Sequence, residues 1–107
     1  MMKDADNTGL VPAYSDKELY RILERILTEN GVPAYSYSLG GPAEECVCLE
    51  HRGNGWTVYE ISRGQEVHAC RFSSFHQACR HLFGSIVIGK EKIMALEKGI
   101  EKELFPG

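Results

Sequence analysis

No apolar run in the 107-residue sequence approaches the roughly 20 residues that span a bilayer, so no membrane-embedded segment is expected. The start, Met1-Met2-Lys3-Asp4-Ala5-Asp6-Asn7, lacks the basic and then apolar regions of a signal peptide, and the expected compartment is the cytoplasm. Positive charge is not in excess. With 12 Lys and Arg against 15 Asp and Glu, the net charge is −3 and the pI near 5.8. That leaves no general footprint for nucleic acid and suits a basic protein partner better. The four cysteines, Cys46, Cys48, Cys70 and Cys79, lack the paired Cys-x(2–4)-Cys spacing of structural zinc sites. In a reducing compartment they are expected to be free thiols serving as small core hydrophobes. Neither Gly40-Gly41 nor the glycines at 53 and 55 fit a dinucleotide fingerprint or a Walker motif, so they read as turns. No cofactor and no metal are expected.

What is present is an ordinary folding composition, 43% hydrophobic and 25% charged, in a chain long enough for one core and too short for two. Residues 1–14 read as a flexible leader and 15–107 as a single α+β domain. Ser15-Asp16-Lys17-Glu18 is a capping box, and Leu19, Ile22, Leu23, Ile26 and Leu27 follow on one helical face until Asn30-Gly31 and Pro33 stop it. Tyr35, Tyr37 and Leu39 alternate with serines as either a short edge strand or an extended loop. Strand patterns then cover Glu45 to His51, Trp56 to Ile61 and Glu66 to Phe72, an antiparallel meander turning at Arg52-Gly53-Asn54-Gly55 and around Arg63-Gly64. With symmetrical turns, Cys48 lies beside Tyr59, Cys46 beside Ile61, Thr57 beside Cys70 and Tyr59 beside His68. The opposite face carries Val47, Leu49, Trp56, Val58, Val67 and Ala69, and since both faces are substantially apolar something must cover each. Ser74 and Gln77 cap a second helix bearing Phe75, Ala78, Cys79, Leu82 and Phe83, with its end expected at Gly84. A third carries Ile93, Leu96, Ile100 and Leu104 up to Pro106-Gly107. The expected fold is therefore α+β, a three- to four-stranded antiparallel meander with an N-terminal helix and two C-terminal helices.

Catalytic patterns are weak. His51, His68, His76 and His81 are candidate bases without a partner that the sequence orients, and the last two fall on the polar side of their helix. Cys79 sits on a buried stripe, where a raised pKa makes a poor nucleophile. Lys90, Lys92, Lys98 and Lys102 alternate with Glu91, Glu97, Glu101 and Glu103 as a mixed solvated face. What remains is the meander, where Glu44, Glu45, Glu50, Glu60 and Glu66 accompany Trp56, Tyr59, Arg63 and Arg71. Either the aromatics fill the core and the glutamates decorate it, or they form an acidic, aromatic-bearing recognition surface.

The run Gly55-Trp56-Thr57-Val58-Tyr59-Glu60-Ile61-Ser62-Arg63-Gly64, then Phe72 and Gln77-Ala78-Cys79-Arg80-His81-Leu82, with Tyr37-Ser38-Leu39-Gly40-Gly41 ahead of it, resembles small bacterial immunity proteins encoded with secreted or contact-delivered polymorphic toxins. The resemblance covers roughly residues 15 to 88, and it rests on strand, turn and core residues, so it speaks for a scaffold before an activity. It implies a non-enzymatic protein that neutralises a cognate toxin by stoichiometric occlusion. The partner would be the basic C-terminal domain of a toxin, a nuclease or nucleotide-degrading enzyme acting in the cytoplasm, with no direct contact to nucleic acid or membrane. Glu50, Trp56, Glu60, Glu66 and Arg71 are the expected contacts. The alternatives are a homodimeric regulatory or adaptor module and a small His- or Cys-dependent enzyme.

Overall fold

A computed structural model describes residues 14–105. In chain order they form α1 (Asp16–Glu29), a 3-10 turn (Ala34–Ser36), β1 (Tyr37–Leu39), β2 (Val47–Arg52), β3 (Gly55–Ser62), β4 (Gln65–Phe72), α2 (Phe75–Ile86) and α3 (Lys90–Leu104). The leader, Tyr14 apart, and the stop at Pro106-Gly107 lie outside the described residues.

The helix ends follow local chemistry. At the start of α1 the Ser15 hydroxyl accepts from the Glu18 N–H at 3.2 Å while the Glu18 carboxylate accepts from the Ser15 N–H at 2.9 Å, a complete capping box. At its end Gly31 adopts φ 75°, which lets the Gly31 and Val32 amides turn back to the carbonyls of Thr28 and Leu27 at 3.0 and 2.9 Å. The second capping box is only half made. The Ser74 hydroxyl accepts from the Gln77 N–H at 3.1 Å, but the Gln77 side chain accepts instead from the Ser73 hydroxyl, also at 3.1 Å. Helix α2 also runs past Gly84 to Ile86, because Leu82 and Phe83 are fully buried and the Val87 N–H still reaches the Phe83 carbonyl at 3.0 Å. Packing here outweighs the poor helix propensity of glycine.

The sheet has the order β1-β2-β3-β4, and it is mixed, not purely antiparallel. Strand β1 runs parallel to β2, pairing Tyr37 with Val47 and Leu39 with Leu49, while β2–β3 and β3–β4 are antiparallel. A parallel neighbour needs a crossover, and the segment from Gly40 (φ 92°) to Cys46 supplies it. The β2–β3 register places Cys48 opposite Tyr59, as expected. Between β3 and β4 the expected register holds only near the turn, where Ile61 faces Glu66; farther along, Thr57 faces Arg71 in place of Cys70. The cause is a β-bulge between the Glu60–Val67 and Val58–Cys70 pairs, with His68 in the left-handed region at φ 55°.

One face of the sheet meets the helices. Leu49, Trp56 and Val58 join Leu19, Leu23, Phe75, Leu82, Phe83, Leu96 and others in one buried cluster. Helix α2 contacts β2, β3 and β4, and α3 packs on both α1 and α2. The α1–α3 approach depends on Gly99, where an added Cβ would lie 3.2 Å from Ile26 Cγ2. On the other face Cys48, Thr57 and Tyr59 are buried without joining that core. The crossover covers part of them: the Ala43 carbonyl lies 3.9 Å from Cys48 Sγ, and the Glu44 carboxylate accepts from the Gly64 N–H at 2.8 Å. The need to cover both apolar faces is thus met by helices on one side and by a loop and an arginine on the other.

Candidate functional site

Alternation along β2 and β3 puts Glu50 and Arg52 on the loop-covered face with Tyr59, and the register beside the β3–β4 turn adds Glu66. These four side chains form one network. The Tyr59 hydroxyl donates to Glu50 Oε1 at 2.7 Å, and Arg52 Nη2 donates to the same oxygen at 3.2 Å. Arg52 also donates to both oxygens of Glu66, at 3.0 and 2.8 Å, and its guanidinium lies 4.3 Å above the centre of the Tyr59 ring. The electrostatics follow the contacts. The hydrogen bonds from Arg52 hold the Glu66 carboxyl below its ordinary range and, in return, hold the guanidinium charged. Burial first, and then its hydrogen bond to the anionic Glu50, pushes the Tyr59 hydroxyl well up, so it remains a donor. Burial likewise raises the Cys48 and Cys79 thiols, and all four cysteines are free.

Of the five expected contacts, Glu50, Glu66 and Arg71 share this open face, with Arg71 exposed opposite Thr57. The face is charge-balanced and not acidic, because Arg52 and Arg71 stand among the carboxylates. Glu60 lies on the other side of the sheet, beyond the end of α2, with His68 Nδ1 3.6 Å from its carboxylate. Trp56 is not a surface residue. Only 7% exposed, it is packed between Tyr20, His51 and Phe75, with ring centres at 5.9, 4.5 and 4.9 Å. Its β3 neighbour Val58 shares that face, and the aromatic ring seals the end of the core where α1 and α2 approach the sheet.

Three features lay beyond the sequence reading. Arg52 was placed in a turn, although its spacing of two residues from Glu50 puts both on one strand face. Tyr35 is 81% exposed because the 3-10 turn points it away while Tyr37 enters the core. His51 does have an oriented partner: its Nδ1 lies 2.9 Å from Asp16 Oδ2, with the imidazole stacked on Trp56 at an interplanar angle of 13°. The Tyr20 hydroxyl accepts from the His51 N–H at 3.1 Å. This pair ties the first turn of α1 to the end of β2, a tethering role that requires no reaction at the ring.

Replacing Tyr59 with phenylalanine tests the network. Glu50 retains Arg52, and the ring retains its cation, so the expected cost is one hydrogen bond, about 0.5–1.5 kcal/mol in urea unfolding. An unchanged midpoint would mean that the hydroxyl contributes nothing.

Among the described residues no group of three or more His, Cys, Asp or Glu side chains is placed to hold a metal ion, and no helix is long and apolar enough to cross a membrane. Comparison with protein-family models, curated proteins and solved structures finds no match for this chain. The site is therefore read from its own chemistry. It is a fixed pattern of charged donors and acceptors on the sheet face that the helices do not cover.

Proposed function

We propose that this chain is an immunity protein, which binds a cognate bacterial toxin and neutralises it by occluding its active or substrate-binding surface. The observation that supports this reading is the sheet face left free of helices, where Glu50, Arg52, Tyr59 and Glu66 form one hydrogen-bonded network and Arg71 is exposed on the same face. A standard interface takes about 800 Å² from each partner, and the total accessible surface of 6484 Å² leaves ample room for it. The resemblance of the Gly55–Gly64 strand and turn to immunity proteins supplies the partner class: a cytoplasm-acting nuclease or nucleotide-degrading enzyme with a basic toxin domain.

The direct test is co-purification of the tagged chain with the product of the adjacent open reading frame. A one-to-one complex that relieves growth inhibition is the expected result; recovery of the chain with itself alone would overturn the reading. Reversing Glu66, which lies on that face, to lysine is then expected to slow association with a basic toxin severalfold at low salt, with little change in dissociation. An unaltered association rate would remove Glu66 from the interface.

A homodimer is the second reading, favoured by β4, an eight-residue outer strand whose residues are exposed or only half-buried. The bulge at His68 opposes it, because a twisted edge pairs poorly with a second strand. Sedimentation at increasing concentration separates the two, since the dimer reading requires a mass of twice 12.0 kDa.

A further inference from the structure

We infer that a groove between the 3-10 turn, the β2–β3 end of the sheet and the end of α2 takes a lysine- or arginine-bearing segment of a partner protein. The groove measures about 420 Å³, within the roughly 300–1,000 Å³ range of ligand clefts. Its apolar lining comes from Tyr35, Val47, Ile61 and Ile86, and Tyr35 is 81% exposed. Among the described residues, the charged ones that line it are Glu45 and Glu60. An apolar floor with carboxylates at the rim matches a long basic side chain, whose methylenes lie on the aromatic and aliphatic surface while its head meets the acids. An acidic segment would set its own carboxylates against Glu45 and against Glu60, whose other neighbour is His68 Nδ1 at 3.6 Å.

The backbone adds an independent observation. Glu45 is a non-glycine residue at φ 60°, a conformation that glycine adopts without cost. Two backbone hydrogen bonds hold this segment there, from the Glu45 N–H to the Ile61 carbonyl at 3.1 Å and from the Ile61 N–H to the Cys46 carbonyl at 3.3 Å. Those bonds fix the backbone of Glu45 at the rim of the groove, which its side chain lines. The neighbouring Glu44 is already committed to the Gly64 amide, so it is Glu45 that faces the groove.

This site rests on the protein-binding reading above, but its test needs no toxin. The 15N-labelled chain is titrated with a synthetic blocked pentapeptide, Leu-Arg-Leu-Arg-Leu, and with the counterpart carrying glutamate for arginine. Saturable amide shifts confined to Tyr35, Glu60, Ile61 and Ile86 are expected with the arginine peptide and not with the glutamate peptide. Glu60→Gln and Glu45→Gly are each expected to weaken binding about two- to fivefold, the effect of losing one exposed charge pair. Glu45→Gly should at the same time raise the melting midpoint by roughly 4–8 °C through relief of the left-handed residue, so weakened binding cannot come from misfolding. Shifts spread over all surface carboxylates, or a Glu45→Gly variant that binds as before, would overturn the proposal. So would line broadening at Tyr35 and Ile86 that grows with concentration in the absence of peptide, because the groove would then belong to a second copy of the chain. Toxin capture with no peptide binding would leave the immunity reading standing and remove the groove alone.

Discussion

Phe83→Ala is expected to lower the unfolding free energy by about 3–5 kcal/mol, a large share of the roughly 5–15 kcal/mol available to a small domain. Phe83 is fully buried on α2, the helix that contacts three strands and α3 together. Truncation would leave a cavity where helix and sheet layers meet, and close packing on both sides limits how far it can collapse. Trp56, the single tryptophan, is buried beside Phe75 on the same helix and reports the transition by its fluorescence in urea. A loss under about 1.5 kcal/mol would show that α2 is not seated as described.

The second large effect is expected at Gly55, where a Cβ would lie 2.8 Å from the carbonyl oxygen of Phe72. The obstacle is backbone and cannot rotate away, so Gly55→Ala has to pry β3 from β4 at the end of the pairing farthest from their connecting turn. A destabilisation of about 1–3 kcal/mol follows, with loss of amide protection along Trp56 to Val58. Gly41→Ala is the matched control. Its Cβ would meet nothing within 4 Å, and its φ is not in the left-handed range. Denaturation midpoints that are equal for the two variants would contradict the tight β3–β4 approach.

The elements that could be read in advance are those whose signals are local. Ser15 and Glu18 sit three residues apart and cap α1 as their spacing requires, and the apolar stripes of α2 and α3 are the stripes that are buried. The β2–β3 register was equally legible, because a two-residue turn at Gly53-Asn54 leaves no freedom in how Cys48 meets Tyr59. The parallel β1 was not, since nothing within Tyr37-Ser38-Leu39 specifies a partner ten residues further on and beyond a crossover. The bulge was hidden for a different reason. His68 takes a left-handed conformation without being glycine or asparagine, so no residue type announced the extra position that moves Arg71 opposite Thr57. The candidate site was partly legible: Glu50 and Glu66 belong to one network, but Arg52, which joins them, had been assigned to the turn that it precedes. Trp56 was misread because an aromatic in a strand serves equally well as an anchor for a partner or as the end of a core, and only its contacts with Tyr20 and Phe75 decide between them.

Strand β3 has a further consequence for how this chain can diverge. Trp56 and Val58 answer to the helix layer, while Thr57 and Tyr59, their immediate neighbours, answer to the open face. Under the proposed reading, substitutions at Glu50, Arg52, Glu66 or Arg71 would alter the surface offered to a partner while leaving the buried cluster around Leu82 and Phe83 in place, and their cost to stability would stay within the Tyr59 network.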